Sequence, residues 1–286
     1  MSSQIPGPAH TDDRVYMMES ASESDGEMRR LDELHVAVKR YFNGELSLAP
    51  ITDVPPRKIL DLGCGSGAWA IDAATQFPEA EVIALDISPL PNRRIPANIS
   101  FKLADLTQEL DFEKGTFDIV HARFVIFHVS DGERAVKRAA ELVKPGGFLI
   151  LEDMDLMSVI RTGGYAVKQH VLKMFELLRS RGVDPEIGRK FAGILSSTGN
   201  FVDVHIHSIT VPFSGVGPDD TTNELGRAFK KTWVQLEGAD AVRRDEIANA
   251  PSATQEYYAE MMSKDCKVAL DLHFCWVRRN KSKDSC

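Results

Sequence analysis

The chain has 286 residues, 43% of them hydrophobic and 27% charged, with a formal net charge of −8. That length can bury one large core, so one α/β domain with an elaborated C-terminal part is expected rather than two independent domains. The acidic balance argues against nucleic acid as a bulk electrostatic partner, because neutralising phosphates needs clustered Lys and Arg.

Met1 to His10 has neither the basic start nor the apolar core of a secretory signal, and no stretch reaches the uninterrupted apolar length that spans a bilayer. A soluble intracellular protein with no membrane partner is expected, cytoplasmic, with the nucleus left open. The four cysteines, Cys64, Cys266, Cys275 and Cys286, are scattered without metal spacing and read as free thiols in a reducing compartment. Residues 1–26 are rich in Ser, Pro, Asp and Glu, which predicts a disordered tail, interrupted by Arg14-Val15-Tyr16-Met17-Met18. From Glu27 to Asn43 the residues Met28, Leu31, Leu34, Val36, Val38 and Tyr41-Phe42 fall close to one helical face, with Asp32 and Glu33 facing Arg29 and Arg30 across the polar side. Gly44 ends this helix, and Pro55-Pro56 sets an extended lead into a strand.

The stretch Arg57 to Asp72 organises the rest. A short apolar run carries Asp61 near its end, passes through Gly63, Gly65 and Gly67 at alternate positions, and changes to helical spacing with Ala70, Ile71, Ala73 and Ala74. That is a strand, a glycine loop and a helix whose unpaired N–H groups face whatever lies on the loop. A dinucleotide loop would read G-x-G-x-x-G; here Gly67 comes one residue early. Asp61 at the strand end suits a ligand that carries an ammonium beside a carboxylate.

The sequence D-L-G-C-G-S-G-A-W-A-I-D resembles the first motif of class I S-adenosylmethionine-dependent methyltransferases, and its W-A-I-D ending resembles the fungal LaeA-like group. The preceding E-M-R-R-L-D-E-L-H is similar to the segment before the glycine loop in that group, which implies that the first helix is a lid over the cofactor. His35 on it reads as structural or functional alike.

Ala80 to Asp86 is a second buried strand ending in an acid. Asp86 stands about 20 residues after the loop, where such folds place the carboxylate that accepts both ribose hydroxyls. The following I-S-P-L-P-N-R-R-I-P resembles the LaeA-like D-L-S-P segment, and its prolines impose a loop. Ile99 to Leu103 is a third strand, and the resemblance implies that Asp105 beyond it meets the adenine amino group.

Phe117 to Phe124 is a fourth strand and its exit, which places His121 and Arg123 at the ligand crevice. The tetrapeptide H-A-R-F resembles the LaeA-like hallmark. Arg123 reads equally as a ligand contact and as a buried partner of Glu27, Asp32 or Asp61. His121 and His128 are the candidate general bases, with a backbone-satisfied loop histidine as the competing reading of His128.

Glu133 to Val143 reads as a helix stopped by Lys144-Pro145-Gly146-Gly147, a turn common in class I methyltransferases. The fifth strand follows from Phe148, and its Glu152 and Asp153 emerge as acceptor-orienting, basic or capping groups. Further on, 165–181 is a helix whose Val167, Val171, Leu172, Met174, Phe175 and Leu178 form a core stripe or a substrate wall, and Ile187 to Ser196 is another. Phe201 to Phe213 alternates as a sixth strand. Its His205 and His207 share one face, without a third ligand that would make them a metal site. Leu225 to Leu236 and Glu246 to Met262 are helices. Val268 to Val277 is the last strand, and the basic run Arg278 to Lys281 reads as a solvated end.

The expected fold is a doubly wound α/β domain with a seven-stranded, mostly parallel sheet, N-terminal helical lid and helical insertions. The resemblance supplies its order, 3-2-1-4-5-7-6. Residues 27–56 form the lid, 57–153 the cofactor-binding half, and 154–280 the substrate-side helices and last strands. The resemblance implies S-adenosyl-L-methionine as cofactor, held by Asp61, Gly63, Gly65, Gly67, Asp86, Asp105 and Arg123. It also implies a small-molecule methyl acceptor in secondary metabolism, methylated at oxygen or nitrogen. Two alternatives stand beside this: a regulator working through protein partners, and a methyltransferase-like fold recruited to another reaction.

Overall fold

The computed structural model describes residues 25–53, 55–236 and 251–281. The tail read at 1–26 lies almost wholly outside them, as do Arg14 to Met18, the first turn of the helix read from Glu246, and Cys286. Helix α1 is Asp25–Tyr41, strand β1 Lys58–Leu62, α2 Ala68–Gln76, β2 Glu81–Asp86, β3 Ile99–Leu103 and β4 Phe117–Arg123. A 3-10 turn at Ile126–His128 precedes α3 Gly132–Leu142, β5 Val143–Asp155, α4 Met157–Thr162, α5 Tyr165–Ser180 and α6 Ile187–Ser197. The remainder is β6 Phe201–Pro212, α7 Asp220–Leu236, α8 Ser252–Met262 and β7 Ala269–Arg279.

The seven strands form one sheet in the order β3-β2-β1-β4-β5-β7-β6. β7 is antiparallel to both of its neighbours, and the pairings from β3 to β5 are all parallel. Strand order and mixed direction match the expectation. The order reverses between β1 and β4, and ligands of open α/β sheets bind in the crevice outside that switch point.

Period-two alternation sorts the side chains by face. Leu60, Leu62, Val120, Ala122, Leu149 and Leu151 join the main core with α3 and α6. Ile59, Val82, Ala84, Ile119 and Ile150 pack on the other face against Trp69, Ala70, Ala73 and Ala74 of α2. Two residues further along these last strands come Asp61, His121 and Glu152, so the sheet face under α2 becomes polar as it reaches the crevice.

Some expectations shift. The Lys144 to Gly147 turn is drawn into β5, because Val143 already pairs with Phe117 before the register slips. Gly146 has φ +82°, and a Cβ on Gly147 would lie 2.7 Å from the Asp118 carbonyl oxygen, so this strand entry needs both glycines. Arg278 and Arg279 are not a solvated end. They lie within β7 and turn back, Arg278 donating to the Gly146 carbonyl at 3.0 Å and Arg279 to the Glu141 carbonyl at 3.1 Å. On α1, Val36 faces solvent and Arg30 of the polar side is buried, held by Glu27, while Leu34, Val38 and Phe42 are buried as read. On α5, Leu172 faces solvent, while Val167, Val171, Phe175 and Leu178 are buried. His205 stacks on Trp276, and His207 lies 2.7 Å from the Tyr41 hydroxyl. No described helix is long and apolar enough to cross a membrane.

Candidate active site

A cavity of about 140 Å³ opens at the switch point. Its floor is the glycine loop, with Asp61, Gly63, Cys64, Gly65 and Ser66. Gly63, Gly65 and Gly67 all have positive φ, at 66°, 53° and 78°, which explains why the loop takes glycine there. A Cβ on Gly63 would meet Val125 at 2.2 Å, and one on Gly65 would meet Leu31 of α1 at 3.1 Å.

Asp61 and His121 are register partners on β1 and β4. Asp61 Oδ1 lies 2.7 Å from His121 Nδ1, and the imidazole stacks on the Trp69 indole with centroids 3.7 Å apart and planes 5° from parallel. Both residues are buried, and Asp61 Oδ2 and His121 Nε2 have no partner among the described residues. Burial raises Asp61 to about 7 against the opposing pull of Arg123. Burial also depresses His121 well below the ordinary histidine value, and Arg123 adds to this. The imidazole is therefore neutral, and the Asp61 carboxyl is the group of the pair that titrates near neutrality.

Asp86 closes the β2 end of the cavity. One carboxylate oxygen accepts the Gly65 N–H at 2.8 Å and the other the Ser88 N–H at 3.0 Å. Burial pushes its pKa up, with those N–H groups opposing.

Arg123 also borders the cavity, and its partner is none of those anticipated. Its Nε pairs with Glu152, its register neighbour on β5. Its Nη2 donates to the Leu46 carbonyl at 3.0 Å and its Nη1 reaches His35 Nδ1 at 3.2 Å. A guanidinium can only donate, so Nδ1 of His35 is the acceptor and its Nε2–H donates to Asp72 at 3.1 Å. Lys39 joins the same carboxylate at 2.6 Å, and Asp72 is held at about 2 chiefly by the His35 hydrogen bond. His35 is thus a bridge from α1 to α2 and β4. Asp32 docks the neighbouring turn, accepting Ser66 Oγ at 2.7 Å and Arg93 Nη1 at 2.9 Å.

The remaining wall comes from Glu27, Arg30, Leu31 and Leu34 of α1, from Phe124, Val125 and His128 after β4, from Met154, and from Phe229 and Thr232 of α7. Burial and then Arg30 lower His128 to about 4. Among the anticipated site residues, Asp61, Gly63, Gly65, Asp86, His121, Arg123 and His128 converge here, and Gly67 and Asp105 do not border the cavity. Gly67 is the N-cap of α2 and faces Leu90, while Asp105 accepts the Thr107 N–H at 2.8 Å. Glu152 and Asp153 do not line it either. Glu152 serves Arg123, and Asp153 points to the opposite face, accepting the Phe127 N–H at 2.9 Å. Phe229, Thr232 and Met154 carry no site signal in the sequence, where Leu225 to Leu236 reads only as a helix.

The profile of the methyltransferase domain family matches residues 35–191. The chain is similar to methyltransferase str3 of Strobilurus tenacellus, with 32% identity over 90% of this chain and 94% of that protein. It is also similar to the secondary metabolism regulator LAE1 of Cochliobolus heterostrophus, 27% identical over 76% of this chain and 72% of that one. Among solved structures, phosphoethanolamine N-methyltransferase 2 of Haemonchus contortus, determined with phosphomonomethylethanolamine and S-adenosylhomocysteine, has the same fold. Its TM-score is 0.55 at 16% identity, over 96% of this chain and 62% of that one.

Proposed function

The chain belongs to the class I S-adenosylmethionine-dependent methyltransferases, and from that premise we propose that it methylates a small-molecule acceptor, at oxygen or nitrogen, in fungal secondary metabolism. S-adenosylmethionine is its cofactor; when bound, it supplies a methyl group on a sulfonium already activated for one in-line displacement.

The observation that carries the placement of the site is the orphaned Asp61 Oδ2, a buried acceptor bordering the cavity at the switch point. Buried polar atoms need partners, and an ammonium group would satisfy this one. Gly63 and Gly65 let the backbone approach the ligand. Asp86 keeps lone pairs for ribose hydroxyls beyond the two backbone N–H groups that orient it. Arg123 borders the same end from within its Glu152 pair. To Gly67 and Asp105 we assign support, of the α2 start and of the turn after β3.

His121 is engaged with Asp61 through Nδ1, and we assign proton acceptance to His128, which borders the same cavity beside Phe124 and Val125. Held near 4, His128 is neutral at physiological pH and a weak base. The chain's contribution is then mostly orientation and exclusion of water, with an acceptor that arrives ionised or as a free amine.

The test is incubation with methyl-tritiated S-adenosylmethionine and, separately, small-molecule and protein fractions of a fungal culture. Label in the small-molecule fraction, lost in Asp86→Ala, is the expected result. Label confined to protein would favour the regulatory reading that the likeness to LAE1 keeps open. No label in either fraction would contradict both.

A further inference from the structure

The ionisable groups around the cavity fall into two sets. Asp61, His121, Arg123, Glu152 and His35 act on one another, whereas His128 responds to Arg30 and Glu27. The second set has no part in the cofactor contacts assigned above.

Glu27 and Arg30 lie one helical turn apart on α1 and are 8% and 6% exposed. The Glu27 carboxylate takes Arg30 Nε at 2.6 Å and Nη2 at 2.5 Å, a two-pronged grip that fixes the guanidinium plane. Such a buried pair contributes little net stability, because desolvating two charges offsets their attraction. It does orient one particular group. Nη1, with two N–H donors, has no hydrogen-bond partner among the described residues, on a side chain that borders the cavity. The neighbouring wall is apolar, with Leu34, Phe124, Met154 and Phe229, and low polarity strengthens any ionic contact made there. His128, kept neutral by burial and by Arg30, adds no competing cation.

We propose that Arg30, oriented by Glu27, is the carboxylate-reading residue of this cavity. A planar guanidinium with one edge fixed by Glu27 and Nη1 unspent, on a side chain that borders the cavity, matches a carboxylate better than it matches a neutral oxygen. Two molecules could bring that carboxylate: the amino-acid end of the cofactor, or an acidic acceptor. Only this choice of molecules rests on the methyltransferase reading.

The test has two arms, each on wild type, Arg30→Lys, and the double variant Glu27→Gln with Arg30→Met, which removes both buried charges together. In the first, calorimetry compares S-adenosylhomocysteine with its decarboxylated analogue. In the second, ligand-observed NMR compares phenylacetate with phenylacetamide, with and without S-adenosylhomocysteine. Wild type is expected to prefer the carboxylate by about tenfold or more in one arm, a charge-assisted hydrogen bond's worth. Arg30→Lys should keep part of that preference and the double variant none, with Asp86-dependent cofactor binding retained. Preference lost in the first arm identifies the cofactor as the source, and in the second the acceptor. No wild-type preference in either arm, or a preference that survives in the folded double variant, overturns the proposal. Failure of S-adenosylhomocysteine to bind at all sinks the methyltransferase reading instead, and the phenylacetate arm without it still decides the role of Arg30.

Discussion

Asp61 is 2% exposed, and burial brings its carboxyl to about 7. If it receives the cofactor's ammonium, only the carboxylate form binds. Affinity for S-adenosylhomocysteine should therefore fall by up to about tenfold for each pH unit below about 7. Calorimetry across that range checks it, and Asp61→Asn should bind weakly with no such dependence. A pH-independent wild type would separate Asp61 from the ligand. At Gly63, φ of +66° and a Cβ position 2.2 Å from Val125 combine strain with a clash; Gly63→Ala should cost about 2–4 kcal/mol in urea unfolding. Gly193 in α6 has open space and no positive φ, so Gly193→Ala should gain up to about 1 kcal/mol.

Helix α1 covers the cavity, whose volume of about 140 Å³ is below the roughly 300–1,000 Å³ of usual ligand sites. If α1 acts as a lid that moves outward from the loop to admit the cofactor, its polar docking should set ligand exchange. Asp32 is the clearest latch, through Ser66 and Arg93. Asp32→Ala should speed amide exchange over 25–41 and cofactor release by about tenfold, while changing global stability by less than about 1 kcal/mol. Unchanged exchange over α1 would contradict the lid. Much of this element was legible beforehand, because an apolar helical face and the glycine loop are local patterns. The partner of Arg123 was not, because a chain read in order gives no register; the order 3-2-1-4-5 places β4 beside β5, and Glu152 follows from it. Phe229 and Thr232 stayed hidden for the same reason: α7 reaches the site from a hundred residues downstream of β4 through tertiary packing that no periodicity encodes.

Across the whole molecule, β1, β4 and β5 each run apolar through the sheet and end in charge, so the fold places its costliest residues at the switch point. Asp153 carries this cost in the core. Fully buried, it is raised to about 7 against the N–H groups of Phe127 and Met154. A folded pKa above the unfolded value means that its contribution to stability is complete below about pH 4 and is lost as pH rises through about 7. Asp153→Asn should therefore gain on wild type by about 1–3 kcal/mol as pH goes from about 4 to 7.5, measured by urea unfolding. A difference independent of pH would contradict the shift. The placement of S-adenosylmethionine at the β1 and β4 switch point is tested most directly by calorimetric titration of S-adenosylhomocysteine into wild type and Asp86→Ala. Saturable binding, weakened by about tenfold or more in a folded Asp86→Ala, is the predicted result. Equal affinity in the two proteins, or neither heat nor thermal stabilisation in wild type freed of carried-over ligand, would contradict it.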